Sequence, residues 1–362
     1  VNEKEQRLLE LLRQNPFLSQ QDMAEQLQMS RPAIANMISA LTKRGLILGR
    51  AYVFPEAREI VCIGGANLDR KLHIKGEVCM ATSNPATMEE TVGGVARNIA
   101  ENLGRLGQAV RLVTVVGQDA DWTTIEEQSS AFMNVASVEQ VPDVHTGTYT
   151  AILNEDGELV LATADMDIYD RLLPDVLQKH EQQLLRAKYI VADLNCPKET
   201  IMYLQQLAVE HELSLIIVPV SSPKMVHLPE HLVGIEWLIC NHDEAEFLTK
   251  SKLEVAGDFE KALEQIQQMG AKNVLITNGS HDVWLRDTSG VTVTKAVQFV
   301  EHIVDVTGAG DSFVGAFIYG LSEQKSMEEA LHVALANARA TIQSPHTVRK
   351  NLTKAQLEME AN

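Results

Sequence analysis

The run Asp305-Val306-Thr307-Gly308-Ala309-Gly310-Asp311 leads straight into the apolar Ser312-Phe313-Val314-Gly315-Ala316-Phe317, so two glycines and an alanine open an expected helix. Main-chain N–H groups crowd at such a start with almost no side chain over them, and the helix dipole adds to their attraction for phosphate oxygens. An aspartate placed there opposes anion binding unless it has a task of its own. Asp311 has one if it accepts the proton of a hydroxyl while Gly308, Ala309 and Gly310 hold the phosphoryl group under attack. The implied chemistry is phosphoryl transfer to an alcohol. The plainer alternative is a Gly-rich turn with an aspartate as N-cap.

Strands and helices alternate from Glu59 onward. Strands are expected at 60–64, 110–116, 188–193, 214–219, 236–240 and 273–277. Helices are expected at 95–106, 122–133, 171–185, 198–211, 258–269, 309–321 and 326–343. This order predicts an α/β fold, a three-layer arrangement with a mostly parallel sheet covered on both faces. Segments 72–91 and 148–164 break the alternation with half-polar strands, the second turning at Asn154-Glu155-Asp156-Gly157. They suit a small β-sheet acting as a lid. No Walker A, H-R-D or D-F-G element is present, and Gly64-Gly65-Ala66-Asn67 lacks the dinucleotide-binding spacing.

Residues 3–55 follow a different pattern. A helix over 3–14 buries Leu8, Leu9, Leu11 and Leu12; Ser19 caps a second helix, and Ser30 caps a third carrying Ile34, Ile38 and Leu41 up to Gly45. Leu46-Ile47-Leu48 and Tyr52-Val53-Phe54 read as a two-stranded wing. The unit resembles a winged helix-turn-helix. That resemblance implies DNA binding, with Arg31, Asn36, Ser39 and Lys43 in the major groove and Arg44 and Arg50 near phosphates. A module that only packs on its neighbour or mediates dimers is the alternative. Residues 1–58 carry eight Lys/Arg against six Asp/Glu, whereas the remainder holds 23 against 43, so only the first part could face nucleic acid.

The 362 residues predict two or three domains. Four scattered cysteines without a C-x-x-C pair read as free thiols, and eleven histidines show no zinc spacing. No run of eighteen apolar residues and no basic-then-apolar leader is seen, so a cytoplasmic protein without a membrane span is expected.

Three separated blocks then match a family. They are Gly64-Gly65-Ala66-Asn67-Leu68-Asp69, Val92-Gly93-Gly94-Val95-Ala96-Arg97-Asn98-Ile99-Ala100 and the Asp305–Asp311 run. Residues 59–350 thereby resemble the ribokinase-like (PfkB) sugar and nucleoside kinases. Ser83-Asn84-Pro85 and Ala164-Asp165-Met166-Asp167-Ile168 look most like the pseudouridine kinase branch. The resemblance implies a winged domain at 1–57 and a kinase domain at 58–362, with lid segments near 72–92 and 147–165. It also implies an ATP- and Mg²⁺-dependent kinase for the 5′-hydroxyl of a nucleoside, most simply pseudouridine; an exposed lid edge and a winged helix both favour a homodimer. Inosine, guanosine or ribose as acceptor, or a regulator using the fold as a nucleoside sensor, are the alternatives.

Residue by residue, the resemblance gives Asn67, Asp69, Gly93, Gly94, Asn98 and Asp167 to the acceptor. Thr277, Gly279, Thr307, Gly308 and Gly310 fall to the nucleotide. Glu244 with Asn241 would position magnesium through water, and Asp305 would join a K⁺ site. Asn241 and Glu244 also read as a helix capping box, Asp69 as a turn residue and Asn98 as an exposed helical residue. Two departures from the family pattern stand at Asp119-Ala120-Asp121-Trp122-Thr123, where a glycine is common, and at Asp282.

Overall fold

The structure, a computed structural model, describes residues 3–15, 18–48 and 58–361. The chain divides into two compact units, Val1–Arg58 and Glu59–Asn362.

The first unit holds α1 (Glu3–Gln14), α2 (Gln20–Gln26) and α3 (Arg31–Lys43) around Leu8, Leu12, Met23, Ile34, Leu41 and Ile47. Ser19 and Ser30 cap α2 and α3 through the N–H groups of Asp22 and Ala33. The expected first wing strand does not form. The N–H groups of Gly45 and Leu46 donate instead to the carbonyls of Thr42 and Leu41, a Schellman closure, and Ile47 turns into the helical core. The second wing strand and Arg50 lie outside the described residues.

The second unit begins with β1 (Ile60–Ile63), β2 (Asn67–Ile74), β3 (Ala86–Gly93) and α4 (Val95–Arg105). Then come β4 (Val110–Val113), β5 (Val115–Gly117), α5 (Ala120–Ser129), β6 (Glu139–Val141), β7 (Thr148–Leu153) and β8 (Leu159–Asp165). The chain continues through α6 (Pro174–Gln178), α7 (Glu181–Arg186), β9 (Tyr189–Asp193), α8 (Lys198–His211), β10 (Leu215–Val218) and β11 (Ile235–Asn241). Next are α9 (His242–Thr249), α10 (Ala256–Gln268), β12 (Asn273–Thr277), β13 (Val283–Arg286) and β14 (Thr292–Lys295). It closes with α11 (Ala309–Ser322), α12 (Met327–Thr341) and α13 (Lys354–Ala361).

Eight strands form the main sheet in the order β14-β13-β12-β11-β10-β9-β1-β4, parallel from β12 to β4 with an antiparallel edge. Alternate residues serve opposite layers. Ile60 and Cys62 pack with α4, α11 and α12, whereas Val61 and Ile63 pack with α6, α7, α8 and α10. Strand β1 lies between β4, which follows it, and β9, from which the order runs the other way. This is a topological switch point, where such sheets place ligands at their C-terminal ends.

Two expected elements divide. Segment 110–116 splits at Thr114, so that β4 pairs with β1 and β5 with β6. Segment 171–185 becomes a 3₁₀ turn (Asp167–Arg171), α6 and α7, because Pro174 holds Leu173 extended and opens α6 at its first turn. The accessory strands form a four-stranded sheet, β3-β2-β7-β8, with Asn154 to Glu158 closing the β7–β8 hairpin. Strand β2 starts at Asn67, so the first Gly block runs directly into this sheet.

Candidate active site

Asp311 sits in the first turn of α11, whose N-cap Gly308 has φ +78°. A Cβ at Gly308 would lie 2.2 Å from the Thr347 carbonyl oxygen, so both backbone and space require glycine there. Ser312 begins the helical ladder by donating to the Gly308 carbonyl. The Ala309 N–H is already taken by the Val306 carbonyl at 3.2 Å, which removes it from the expected cradle. The N–H groups of Gly308, Gly310 and Asp311 have no acceptor among the described residues and remain for a ligand. A Cβ on Gly310 would meet nothing within 4 Å, so the residue borders open space. Gly310 lines a cavity of about 410 Å³ together with Thr277, Gly279, Val297, Phe313 and Leu335. Mostly apolar walls beside free first-turn amides fit a nucleotide, base in the cavity and phosphates at the helix.

Asn98, on the first turn of α4, donates from Nδ2 to Asp311 Oδ2 at 2.8 Å. It is 3% exposed, so the alternative of a solvent-facing helical residue does not hold. Its orientation is set by Arg97, a fully buried cation that donates from Nη1 to Asn98 Oδ1 (3.2 Å) and from Nε to Ser129 Oγ (3.1 Å). Glu101 neutralises that guanidinium at 2.5 Å. With Asn98 Oδ1 held in this way, only its NH₂ can turn toward Asp311. Burial pushes the Asp311 carboxyl up to about 7; the Asn98 bond opposes that rise, and Asp193 and Asp69 add to it.

Asp69 is half-buried on β2, with Oδ1 accepting from Asn67 Nδ2 at 2.6 Å. A Cβ on Gly93 would fall 2.4 Å from Asp69 Oδ2, which places the carboxylate over the diglycine turn. Burial raises the Asp69 carboxyl to about 6, with Lys71 and Asn67 pulling it back. Gly94, Asn67, Asp69, Asn98 and Asp311 are thus assembled at the ends of β1 and α4. Asp167 is exposed at the start of the 3₁₀ turn, and among the described residues it has no partner.

Thr277 ends β12 in register with Asn241 at the end of β11. Asn241 and Glu244 form the reciprocal capping box of α9, with Asn241 N–H donating to Glu244 Oε2 at 2.8 Å and Glu244 N–H to Asn241 Oδ1 at 2.9 Å. Oε1 of Glu244 has no partner among the described residues, so one oxygen fits a water-mediated magnesium contact. Asp305 is already engaged. Thr307 donates to Oδ1 from its N–H and hydroxyl, and Lys71 Nζ lies 2.7 Å from Oδ2.

In the first unit Arg31, Asn36, Ser39 and Lys43 are exposed on α3, away from Ile34, Ile38 and Leu41. Arg44 instead pairs with Glu5 of α1 at 3.1 Å.

Sequence reasoning passed over Asp193. It ends β9 fully buried and accepts the N–H groups of Gly65 (2.9 Å), Ala96 (2.9 Å) and Asn195 (2.8 Å). A Cβ at Gly64 would overlap its carboxyl at 2.2 Å, so that glycine makes room for the acid. Tyr169 does a related job, its hydroxyl accepting the Ala66 N–H at 2.9 Å. An isolated aspartate at a strand end carries no spacing signal; the small residues Gly64 and Gly65 were the available hint.

A switch-point cleft with a half-buried carboxylate beside free helix-start amides and a nucleotide-sized cavity defines a phosphotransferase with an alcohol group as acceptor. Residues 57–354 match the family described as pfkB family carbohydrate kinase, and residues 1–47 match that described as winged helix-turn-helix DNA-binding. The chain belongs to the pfkB family, and its catalytic unit has the ribokinase-like fold. It is 29% identical over 339 residues to the uncharacterized sugar kinase YeiI of Escherichia coli (strain K12), covering 93% of each chain. It is 32% identical over 258 residues to the pseudouridine kinase of the same organism, covering 70% of this chain and 81% of the relative. A carbohydrate kinase from Agrobacterium tumefaciens has a TM-score of 0.73 at 30% identity, covering 84% of this chain and 97% of that one. Arabidopsis thaliana ribokinase complexed with ribose and ATP shares the fold, with TM-score 0.76 at 21% identity over 85% and 99%.

Proposed function

We propose that this chain is an ATP- and magnesium-dependent nucleoside kinase that phosphorylates a 5′-hydroxyl, with pseudouridine as its first substrate and Asp311 as general base. The observation that carries the reading is the Asn98–Asp311 contact beside the unpaired Gly310 N–H. Asp69 and Asn67 hold the ribose hydroxyls; an acceptor lacking one leaves a buried polar group unpaired, at about 1–3 kcal/mol. Asp311, kept in place by Asn98, takes the proton of the attacking hydroxyl. The first-turn amides hold the phosphoryl oxygens, so acceleration comes mainly from position and charge. Magnesium, when bound near Glu244 and Asn241, neutralises phosphate charge. The small sheet acts as a lid that excludes water.

Similarity to the pseudouridine kinase, together with Ser83-Asn84-Pro85 and Ala164–Ile168, supports the choice of acceptor. A homodimer agrees with the outer face of the small sheet, where Met88, Leu72, Ile152 and Leu161 line up across four strands and Met88 and Leu161 are exposed. The exposed polar face of α3 favours a DNA-binding role for the first unit, coupled to the kinase in one chain.

ADP release with ATP, Mg²⁺ and a panel of pseudouridine, inosine, guanosine and ribose tests the proposal. Pseudouridine is expected to exceed ribose at least tenfold in kcat/KM. A preference for ribose overturns the acceptor assignment. Nucleoside binding without turnover, joined to a gel shift on duplex DNA, makes the chain a sensor instead.

A further inference from the structure

The acceptor and phosphate regions are strongly acidic. Asp69 and Asp193 both act on Asp311, and Asp305 stands on the turn that leads into α11. A phosphoryl group in flight spreads negative charge over three oxygens, so carboxylates around it must be offset by cations. Arg97 cannot serve, because Glu101 neutralises it and it is buried behind Asn98. Lys71 is placed differently. Along β2 it shares a sheet face with Asp69, two residues earlier, and it draws the Asp69 carboxyl downward. Its Nζ reaches 2.7 Å to Asp305 on the phosphate-side turn. The ammonium therefore stands between the group that holds the acceptor and the turn that holds the phosphates. About a third of each of the two side chains is exposed (34% and 27%), so the pair is open to solvent and not sealed in the core. Asp305 would keep the Thr307 N–H and hydroxyl if Lys71 left it.

We propose that Lys71 is a further catalytic residue, its ammonium passing from Asp305 to the oxygens of the transferred phosphoryl group. This rests on the reading of Asp311 as base. In the step, the acceptor oxygen bonds to the γ-phosphorus as the bond to the β–γ bridging oxygen breaks. The hydroxyl proton passes to Asp311, and ADP leaves with the electron pair of the broken bond. Lys71 exchanges no proton in the step and supplies charge and hydrogen bonds alone.

Lys71→Met, Lys71→Arg and Asp305→Asn, assayed with the best acceptor of the panel, separate this role from a simple tether. Lys71→Met is expected to lower kcat about 100-fold with both KM values within about threefold, the mark of a contact made in the transition state. Lys71→Arg should keep about a tenth of activity or more, and Asp305→Asn should lose less than about tenfold because the ammonium remains. Lys71→Gln carries the same expectation as the Met variant and replaces it should thermal unfolding show the latter misfolded. Equal losses in Lys71→Met and Asp305→Asn would make the pair a tether and overturn the inference, as would a Lys71→Met enzyme within threefold of wild type. A wild-type protein that phosphorylates no alcohol sinks the functional reading and this inference with it; an active wild type indifferent to Lys71 sinks the inference alone.

Discussion

Asp311→Asn is expected to lower kcat about 10³-fold while acceptor KM stays within a few-fold. The amide can still accept the Asn98 hydrogen bond, so the local geometry persists while the proton acceptor is lost. A pH profile gives the same residue a second check. Burial holds the Asp311 carboxyl near 7, and only its ionised form can take the hydroxyl proton. Activity, read as kcat/KM, should therefore rise with pH through about 7 and fall with unit slope below it. In Asp311→Asn that acidic limb should vanish from the residual activity. Near-normal turnover, or an unchanged limb in the variant, would remove Asp311 from the mechanism.

Asp193→Ala is expected to cost about 3 kcal/mol or more in stability and to raise acceptor KM. The variant leaves three buried N–H groups, those of Gly65, Ala96 and Asn195, without their acceptor. Two of them pin the turn before β2 and the start of α4, which carry Asp69 and Asn98. Disorder there reaches the acceptor site and, through Asn98, the seat of Asp311. Asp193→Asn keeps one accepting oxygen and should fall between wild type and the Ala variant. Thermal unfolding should show Asp193→Ala melting roughly 5 °C or more lower. A melting point within about 1 °C of wild type, together with unaltered KM, would reduce the residue to a passive filler.

The parallel sheet was legible because buried strands announce themselves as short apolar runs such as Ile60–Ile63 and Leu215–Val218. Helices α4 and α11 followed from periodicity and from the glycines at their starts, and α8 from its apolar pattern alone. The antiparallel edge β13–β14 and helix α13 were not read; Val283–Arg286 is only four residues long, and Thr292–Lys295 is short and mostly polar. Among the site residues, Asp311 stood out because a carboxylate in an anion pocket is a conflict that needs a reason. Lys71 gave no such sign; an alternating strand with a lysine is what any exposed strand looks like. Its partner lies 234 positions away, and only the folded chain brings the two together. Arg97 was visible in the diglycine block, but its grip on Asn98 depends on Glu101 and Ser129 closing around the guanidinium.

Strand β2 bears Asp69 and Lys71 on one side and Leu68, Arg70 and Leu72 on the other, paired residue for residue with β3 from Asn67–Gly93 to Ile74–Ala86. Its usefulness thus depends on parity as much as on composition. Single amino-acid exchanges leave that parity intact, but one added or deleted residue between Asn67 and Leu72 would turn the acid and the ammonium outward and leucines toward the ligand. Homologous chains should consequently differ in length freely across the 75–85 connection, and not at all within this stretch.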